Sequence, residues 1–340
     1  METCVNLRTI GYHITGVQRY VLSLLPHLPA ELGSVKPRRA LQGMKGHVWE
    51  QFYLPTQVKN RLLWSPGNTG PLGISRQVVT VHDTAVLDHP EWFERKFAFW
   101  YSALLPRLIR KVRAVITVSQ FSKDRILRFS GVHPERVHVI HNGVDRRFRP
   151  VDGKTVKEVT TGLGLTQPYV LSVGSLEPRK NLKILLEAWQ RDNFDGTTLA
   201  VVGATGHLFQ QFQLDSIPRG VRFLGRVEDD LLPSLYSGAA AFVYGSIYEG
   251  FGLPLLEALA CGCPVAVSDI PPHREVCGPD AVYFDPFRRE DLSHKLQRLL
   301  KLNDAERDSL AERGIRRASL FRWESAAAKT WQVLTNEANK

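Results

Sequence analysis

Residues 237–269, SGAAAFVYGSIYEGFGLPLLEALACGCPVAVSD, admit few folds. An apolar strand runs into a short glycine-rich turn, Gly250-Phe251-Gly252. Leu253 to Ala260 has the composition of a helix, with Pro254 in its first turn, where a missing N–H costs nothing. After Gly262 a second apolar strand follows, Val265-Ala266-Val267. Strand, loop, helix and strand make one βαβ unit, and such a unit requires a parallel sheet. Strand and helix patterns alternate along the rest of the chain too, so the fold class is α/β.

The turn in this unit points at a phosphate. The N–H groups of residues 250–253 stand at a helix N-terminus, where the dipole favours an anion and glycine lets the backbone come close. Glu249 precedes the turn on the ligand side. Glu257 lies about one turn into the helix, where a carboxylate suits sugar hydroxyls. Either glutamate alone also reads as a solvated residue on an ordinary helix. The pair, separated by seven residues around this loop, reads as a site.

A length of 340 residues suits two domains of ordinary size, and 43% hydrophobic residues is a globular composition. No run of about 18 apolar residues offers a membrane span, and the N-terminus lacks a signal-peptide pattern, so a cytoplasmic location is expected. Cys4, Cys261, Cys263 and Cys277 form no paired metal spacing with histidine and read as small buried hydrophobes. Charge is uneven. Residues 1–150 hold 22 Lys and Arg against 10 Asp and Glu, while residues 151–340 hold 22 against 24. The basic half suggests an anionic partner, whether a membrane surface, a lipid diphosphate or a nucleic acid, or simply a soluble basic surface.

Taken in order, Cys4 to Ile10 predicts a first strand and Val17 to Leu28 a helix, with Thr15 as its cap and Gly16 open to a ligand. A short strand near 38–42 and a helix around 48–54 are expected in a stretch of weak pattern. Gln77 to Val81 is a buried strand with His82 and Asp83 at its carboxyl end, where α/β folds put chemistry. His82 is either a loop histidine satisfied by a neighbour or a cleft histidine that hydrogen-bonds a sugar or acceptor. Asp83 would orient it or serve the acceptor. A helix through Arg113 carries Arg107, Arg110, Lys111 and Arg113 beside Leu104, Leu105, Leu108 and Ile109, a pattern that suits anionic lipid or plain solvent. Tyr169 to Val173 is a strand running into Gly174-Ser175-Leu176-Glu177-Pro178-Arg179-Lys180-Asn181 and a helix to Trp189. Cations beside a helix start oppose its dipole, and a bound diphosphate would remove that conflict.

The segment around Glu249 and Glu257 resembles the E-x7-E signature of retaining nucleotide-sugar glycosyltransferases of family 4. Thr15-Gly16-Val17-Gln18-Arg19 is similar, with Thr15 in place of a glycine, to that family's first βα loop. His141-Asn142-Gly143-Val144-Asp145 resembles the end of its N-terminal domain. The resemblance implies a GT-B fold: two Rossmann-like domains with parallel sheets facing a central cleft, and a C-terminal helix crossing back to the N-terminal domain. The expected divisions are an acceptor-binding domain over 1–150, a linker over 151–168, a donor-binding domain over 169–320 and the crossing helix over 321–340, anchored by Phe321 and Trp323. It further implies that Glu249 lies near the transferred sugar, that Glu257 holds the ribose, and that Gly16, Arg179, Lys180 and Gly250 to Leu253 attend the diphosphate. The turn Gly225-Arg226-Val227 would read the nucleobase, largely by main-chain atoms, and His82 would contact the sugar. Ser175 stands where the family often has an arginine, and Arg179 is placed to compensate.

The implied reaction is hexosyl transfer from a nucleoside diphosphate sugar, GDP-mannose first and UDP-hexose second, to a hydroxyl of a lipid-linked or growing polysaccharide. The bacterial relatives that the segments VHD, GSLEPRKN and YEGFGLPLLE resemble commonly build O-antigen or exopolysaccharide. No Asp-x-Asp pair stands at a strand end, so no metal or other cofactor is expected. Partners are then the donor, the acceptor and an anionic membrane surface on the inner face of the cytoplasmic membrane, and not nucleic acid. A GT-B sugar-nucleotide 2-epimerase is the rival enzyme, against which the E-x7-E spacing argues. A basic membrane- or nucleic-acid-binding module is the rival without catalysis. It would explain the charge of the first half but not the convergence of Arg179, Lys180, Glu249 and Glu257.

Overall fold

A computed structural model describes residues 2–11, 16–41, 43–166, 168–175, 177–192, 194, 196–203 and 217–340. The chain divides into two compact units, Met1–Gly143 with Phe321–Lys340, and Val144–Leu320.

The first unit is built on a parallel sheet of β1 (Thr3–Asn6), β2 (Gly33–Val35), β3 (Leu62–Ser65), β4 (Gln77–Val81), β5 (Ala114–Thr117) and β6 (Val137–Val139). The spatial order is β2-β1-β3-β4-β5-β6. Strands β1, β3, β4 and β5 are buried along their whole length, because parallel connections cover both faces with helices. Val79, Val81, Leu105, Leu108 and Ile109 form the core beneath one helical layer. Cys4, Leu54, Val58 and Leu63 belong to a separate cluster.

The final helix, Trp323–Asn339, belongs to this unit. Arg113 donates to the Glu337 carbonyl at 2.5 Å, Arg76 donates to the Ala338 carbonyl at 2.5 Å, and the Trp323 ring lies 6.0 Å from Tyr20. Phe321 sits 5.6 Å from the ring of His141. Gly143 admits the chain as it enters this helix: a Cβ there would stand 2.2 Å from the Trp323 nitrogen and 2.6 Å from the Arg322 carbonyl carbon. Backbone cannot yield as a side chain does, so Gly143→Ala should cost about 1–3 kcal/mol or more. Gly153→Ala is the control, since nothing lies within 4 Å of a Cβ at that position. Thermal melts should show a drop of several degrees for the first substitution and none for the second. Equal midpoints would show that the Gly143 contact relaxes freely.

The second unit carries β7 (Tyr169–Val173), β8 (Thr198–Val202), β9 (Val221–Gly225), β10 (Ala241–Tyr244), β11 (Val265–Ser268) and β12 (Val282–Phe284). All pairings are parallel and the order is β12-β11-β10-β7-β8-β9. The chain moves outward from β7 through β8 to β9, then returns to the other side of β7 with β10. Neighbours β7 and β10 therefore flank a point of reversal, and their carboxyl ends open a crevice.

Four expectations need correction. The strand near 38–42 is found at Gly33–Val35 instead. The first strand stops at Asn6, whose side chain accepts from the Arg8 N–H at 3.1 Å and turns the chain into a tight 3-10 turn. The helix around 48–54 spans Gly43 to Val58, with a π-helical stretch, Trp49–Tyr53, in its middle. The stretch 151–168 holds a helix, Gly153–Gly162, capped by Asp152, which accepts from the Thr155 N–H at 3.0 Å. This helix packs at Gly238, where an added Cβ would meet Val156 at 2.5 Å, so it is part of the second unit's body.

Candidate active site

The loops after β7 and β10 are tied together. The Ile247 N–H donates to the Arg179 carbonyl at 2.8 Å. Beside that bond, Lys180 donates to Glu249 Oε1 at 2.5 Å and Arg179 donates to Glu249 Oε2 at 3.1 Å. Tyr244, the last residue of β10, accepts from Lys180 at 2.8 Å and donates to Glu249 Oε1 at 2.8 Å. Glu177 completes the cluster by accepting from Arg179 Nε at 2.6 Å and from Ser175 at 2.6 Å. Arg179 and Lys180 close a 3-10 turn, Pro178–Lys180, and the next helix begins at Leu182 after Asn181 in a left-handed conformation. Their side chains thus lie against Glu249 and not along the helix axis, which answers the dipole conflict seen in the sequence.

Glu249 is only 5% exposed. Burial pushes its pKa up, yet Lys180 and Arg179 outweigh burial and hold the carboxyl well below its usual range. A unit charge pair at 2.5 Å is worth about 7 kcal/mol at an effective dielectric of about 20, comparable to the several kcal/mol that desolvating an ion costs. Burial, with the carboxylate next to it, drives the Tyr244 hydroxyl well above its ordinary value. Glu249 is therefore a buried, ionised acceptor with two cations and a neutral phenol around it. Two cations face two carboxylates, Glu177 and Glu249, so an incoming anion has to compete for Arg179 and Lys180.

Gly250 and Phe251 follow, both buried, then Gly252 with φ +101°, a conformation that side chains rarely adopt. Gly252 caps the helix Leu253–Ala260, and its carbonyl accepts from the Leu255 N–H at 3.0 Å. Leu253 is half-buried at the head of the first turn; Pro254 has no N–H, and the Leu256 N–H shares the Gly252 carbonyl at 3.4 Å. Glu257 is buried and accepts from the Tyr236 hydroxyl at 3.1 Å. His273, also fully buried, lies 5.4 Å from Tyr244. Burial pushes its pKa down to about 4, so the ring is neutral. At the other edge of this sheet, Gly225 ends β9, Arg226 is exposed and Val227 is buried. The Gly225 carbonyl accepts from the Gly203 N–H at 2.7 Å.

The first unit holds the remaining candidates. His82 is buried, its Nε2 lies 2.8 Å from the Pro66 carbonyl, and its ring meets Tyr20 edge-on at 4.6 Å. Burial lowers its pKa, which leaves a neutral ring whose Nε2–H donates to that carbonyl. Asp83 Oδ1 accepts from the Ala85 N–H at 3.0 Å and stabilises the start of the short helix Ala85–Asp88. Gly16 opens the helix Gly16–Leu24 and is exposed, with nothing within 4 Å of a Cβ. Thr15, expected as its cap, lies outside the described residues.

The structure thus gathers Arg179, Lys180 and Glu249 into one cluster and sets the Gly250–Leu253 turn beside Glu249 in the chain. Glu257 lies farther along the same helix, held by Tyr236. Sequence reasoning missed Tyr244, Glu177 and His273. Tyr244 carried a signal, since a phenol ending the apolar run Ala241-Phe242-Val243 sits at the carboxyl end of a strand. Among the described residues, no helix is long and apolar enough to cross a membrane.

Residues 155–317 match the glycosyl transferases group 1, and residues 62–148 match glycosyltransferase family 4. The chain is 30% identical over 293 residues to the O-antigen chain mannosyltransferase B of Escherichia coli, covering 84% of this chain and 76% of that one. It is 30% identical over 290 residues to the O-antigen chain mannosyltransferase RfbU of Salmonella typhimurium, covering 84% and 78%. Its fold is similar to the crystal structure of Anabaena Alr3699/HepE in complex with UDP and glucose, with a TM-score of 0.79 at 19% identity over 99% of this chain and 100% of that one. The crystal structure of WaaG, a glycosyltransferase involved in lipopolysaccharide biosynthesis, is also similar, with a TM-score of 0.76 at 16% identity over 98% and 99%. With both sheets wound as a GT-B fold requires and both halves of the chain matched, this protein belongs to the group 1 glycosyltransferases of family 4.

Proposed function

We propose that this protein is a retaining mannosyltransferase. It moves mannose from GDP-mannose to a hydroxyl of a lipid-linked or growing polysaccharide at the inner face of the cytoplasmic membrane. The observation that carries this reading is the cluster of Glu249, Arg179, Lys180 and Tyr244 where β7 and β10 diverge. The donor diphosphate draws Arg179 and Lys180 from Glu249, and the main-chain N–H groups of Gly252 and Leu253 at the start of the helix Leu253–Ala260 add to them. Charge developing on the leaving diphosphate is then stabilised without a metal ion. Glu249, ionised and released, accepts from a hydroxyl of the transferred sugar. Glu257 takes the ribose, the Gly225–Val227 turn takes the base, Gly16 is assigned to the diphosphate, and His82 with Asp83 to the sugar or the acceptor. The mannosyl assignment is supported by the relatives, since the matched proteins of Escherichia coli and Salmonella typhimurium are both O-antigen chain mannosyltransferases. A UDP-hexose is the second donor, favoured by the UDP and glucose named for the Anabaena neighbour.

Thermal shift against GDP, UDP, ADP and heparin tests this directly. GDP should raise the melting temperature most. Radiolabelled GDP-mannose with a membrane lipid extract should then give labelled product, and EDTA should not reduce the yield. If heparin raises the midpoint and no nucleoside diphosphate does, the transferase reading is overturned.

A further inference from the structure

His273 has no task in the transfer proposed above, yet it is completely buried beside the Glu249 cluster. It stands in the first turn of the helix Pro271–Cys277, which follows β11. Its Nδ1 lies 2.9 Å from the Ser268 carbonyl, which can only accept, so the ring proton is on Nδ1. Nε2 is then a bare acceptor, and no described residue donates to it. A buried acceptor without a donor costs stability, and a leucine of similar size would not carry that cost. Ser268 does not need the ring either, since its carbonyl also accepts from the Ile270 N–H at 2.9 Å. Stability therefore gives no reason for a histidine at this position, and the contacts of its ring do.

Tyr244 ends β10 and Ser268 ends the paired strand β11. The Ser268 hydroxyl donates to the Tyr244 carbonyl at 3.3 Å, while the Ser268 carbonyl holds the His273 ring. The His273 ring lies 5.4 Å from the Tyr244 ring, tilted by 44°. Tyr244, Ser268 and His273 thus close a triangle, in which the flat imidazole is pinned by one corner and backs the phenol at another. The far edge of the imidazole lies against the phosphate turn, where a Cβ on Gly252 would meet Cδ2 at 3.8 Å. The phenol fixed in this way donates to Glu249 and accepts from Lys180, both at 2.8 Å. Once the diphosphate draws the cations off, the phenol is the donor that stays on Glu249. Resting on the transferase reading for its consequence in turnover, we infer that His273 is a positioning residue, which keeps the Tyr244 hydroxyl on Glu249 through the transfer.

The first measurement needs no donor. Carbon-13 NMR, with the signal assigned by Glu249→Gln, follows the Glu249 carboxyl through an acid titration. The groups facing it are Lys180, Arg179 and Tyr244, with Glu177 beyond Arg179. His273 itself is faced by Asp269, which Arg274 pairs, and the ring is neutral above about pH 4. In His273→Leu the phenol loses its backing, and Glu249 should take up its proton at higher pH than in the parent, since a lost donor disfavours the charged form. Turnover should fall about 10- to 100-fold, with the donor KM near the parent's and the melting temperature unchanged or raised. His273→Phe keeps a flat ring against Tyr244 and should recover most of the loss. In a Tyr244→Phe background, His273→Leu should change turnover by less than ~2-fold, because the group it acts through is gone. The inference is overturned if Glu249 titrates as in the parent, if turnover falls only in step with the melting temperature, or if phenylalanine does no better than leucine. An undiminished effect without the Tyr244 hydroxyl overturns it as well. A parent that transfers no sugar from any nucleotide would sink the transferase reading, and the titration would still decide what His273 does.

Discussion

Glu249→Gln should cut turnover about 10²- to 10³-fold and at the same time tighten the binding of GDP. The two effects share one cause. Glu249 occupies the cations that a diphosphate needs, at 2.5 Å from Lys180 and 3.1 Å from Arg179. Glutamine keeps the shape and an acceptor oxygen but gives up the charge, so the nucleotide no longer displaces an anion. The sugar meanwhile loses the ionised acceptor that the reaction uses. Without ligand the variant should melt lower, because two buried cations lose a counter-charge, and breaking such a pair typically costs about 3–5 kcal/mol. Saturating GDP should restore much of the loss, since binding only to the folded state stabilises it. Steady-state kinetics and a GDP titration by calorimetry decide the matter. A variant that retains turnover, or binds GDP more weakly than the parent, would falsify the proposed competition.

The contrast between Glu249 and Glu50 shows what the sequence can reveal. Glu249 lies in a stretch whose period, glycines and proline all agree on strand, turn and helix, and a βαβ unit brings its carboxyl end to the ligand side whatever else the chain does. Lys180 lies just beyond β7 by the same logic. That these two meet depends on the sheet order, which puts β10 beside β7 although the partners are 69 positions apart. No local pattern states that order, and Tyr244 and Glu177 went unassigned for this reason. Glu50 is a carboxylate buried on a helical stretch, and the residues that make this tolerable, Asn6 and Arg8, stand more than forty positions upstream. A rule that turns apolar residues inward reads Gly43 to Tyr53 poorly, where Met44, Val48 and Phe52 are exposed and His47 and Glu50 are buried, hence the short helix expected there. The helix Gly153–Gly162 escaped for a milder reason. Few of its side chains are apolar, and just one residue, Thr160, is buried.

Lys180→Met should act in the opposite direction on the nucleotide and move the pH dependence. Glu249 is ionised because Lys180 and Arg179 overcome burial, which alone would raise its pKa. In the parent the folded-state pKa is depressed below the ordinary 4.5, so the stability this group contributes is complete above pH 4.5 and is lost only as pH falls into strong acid. Taking away Lys180 leaves Arg179 and the Tyr244 hydroxyl to oppose burial, and the pKa of Glu249 climbs. The acid limb of the turnover profile should move to higher pH, and part of the native stability should disappear in mild acid where the parent is unaffected. GDP should bind about 10-fold more weakly or worse, because a phosphate contact is gone, and the donor KM should rise with it. Glu249→Gln tightens GDP and Lys180→Met loosens it, so a purely structural role for the pair, which would weaken both, is separated from a direct one. The double variant removes both charges together. Its melting temperature should fall less than the two single losses combined, by a coupling of about 1–3 kcal/mol. Strict additivity, with an unmoved acid limb in Lys180→Met, would show that Lys180 does not hold Glu249 in its charged form.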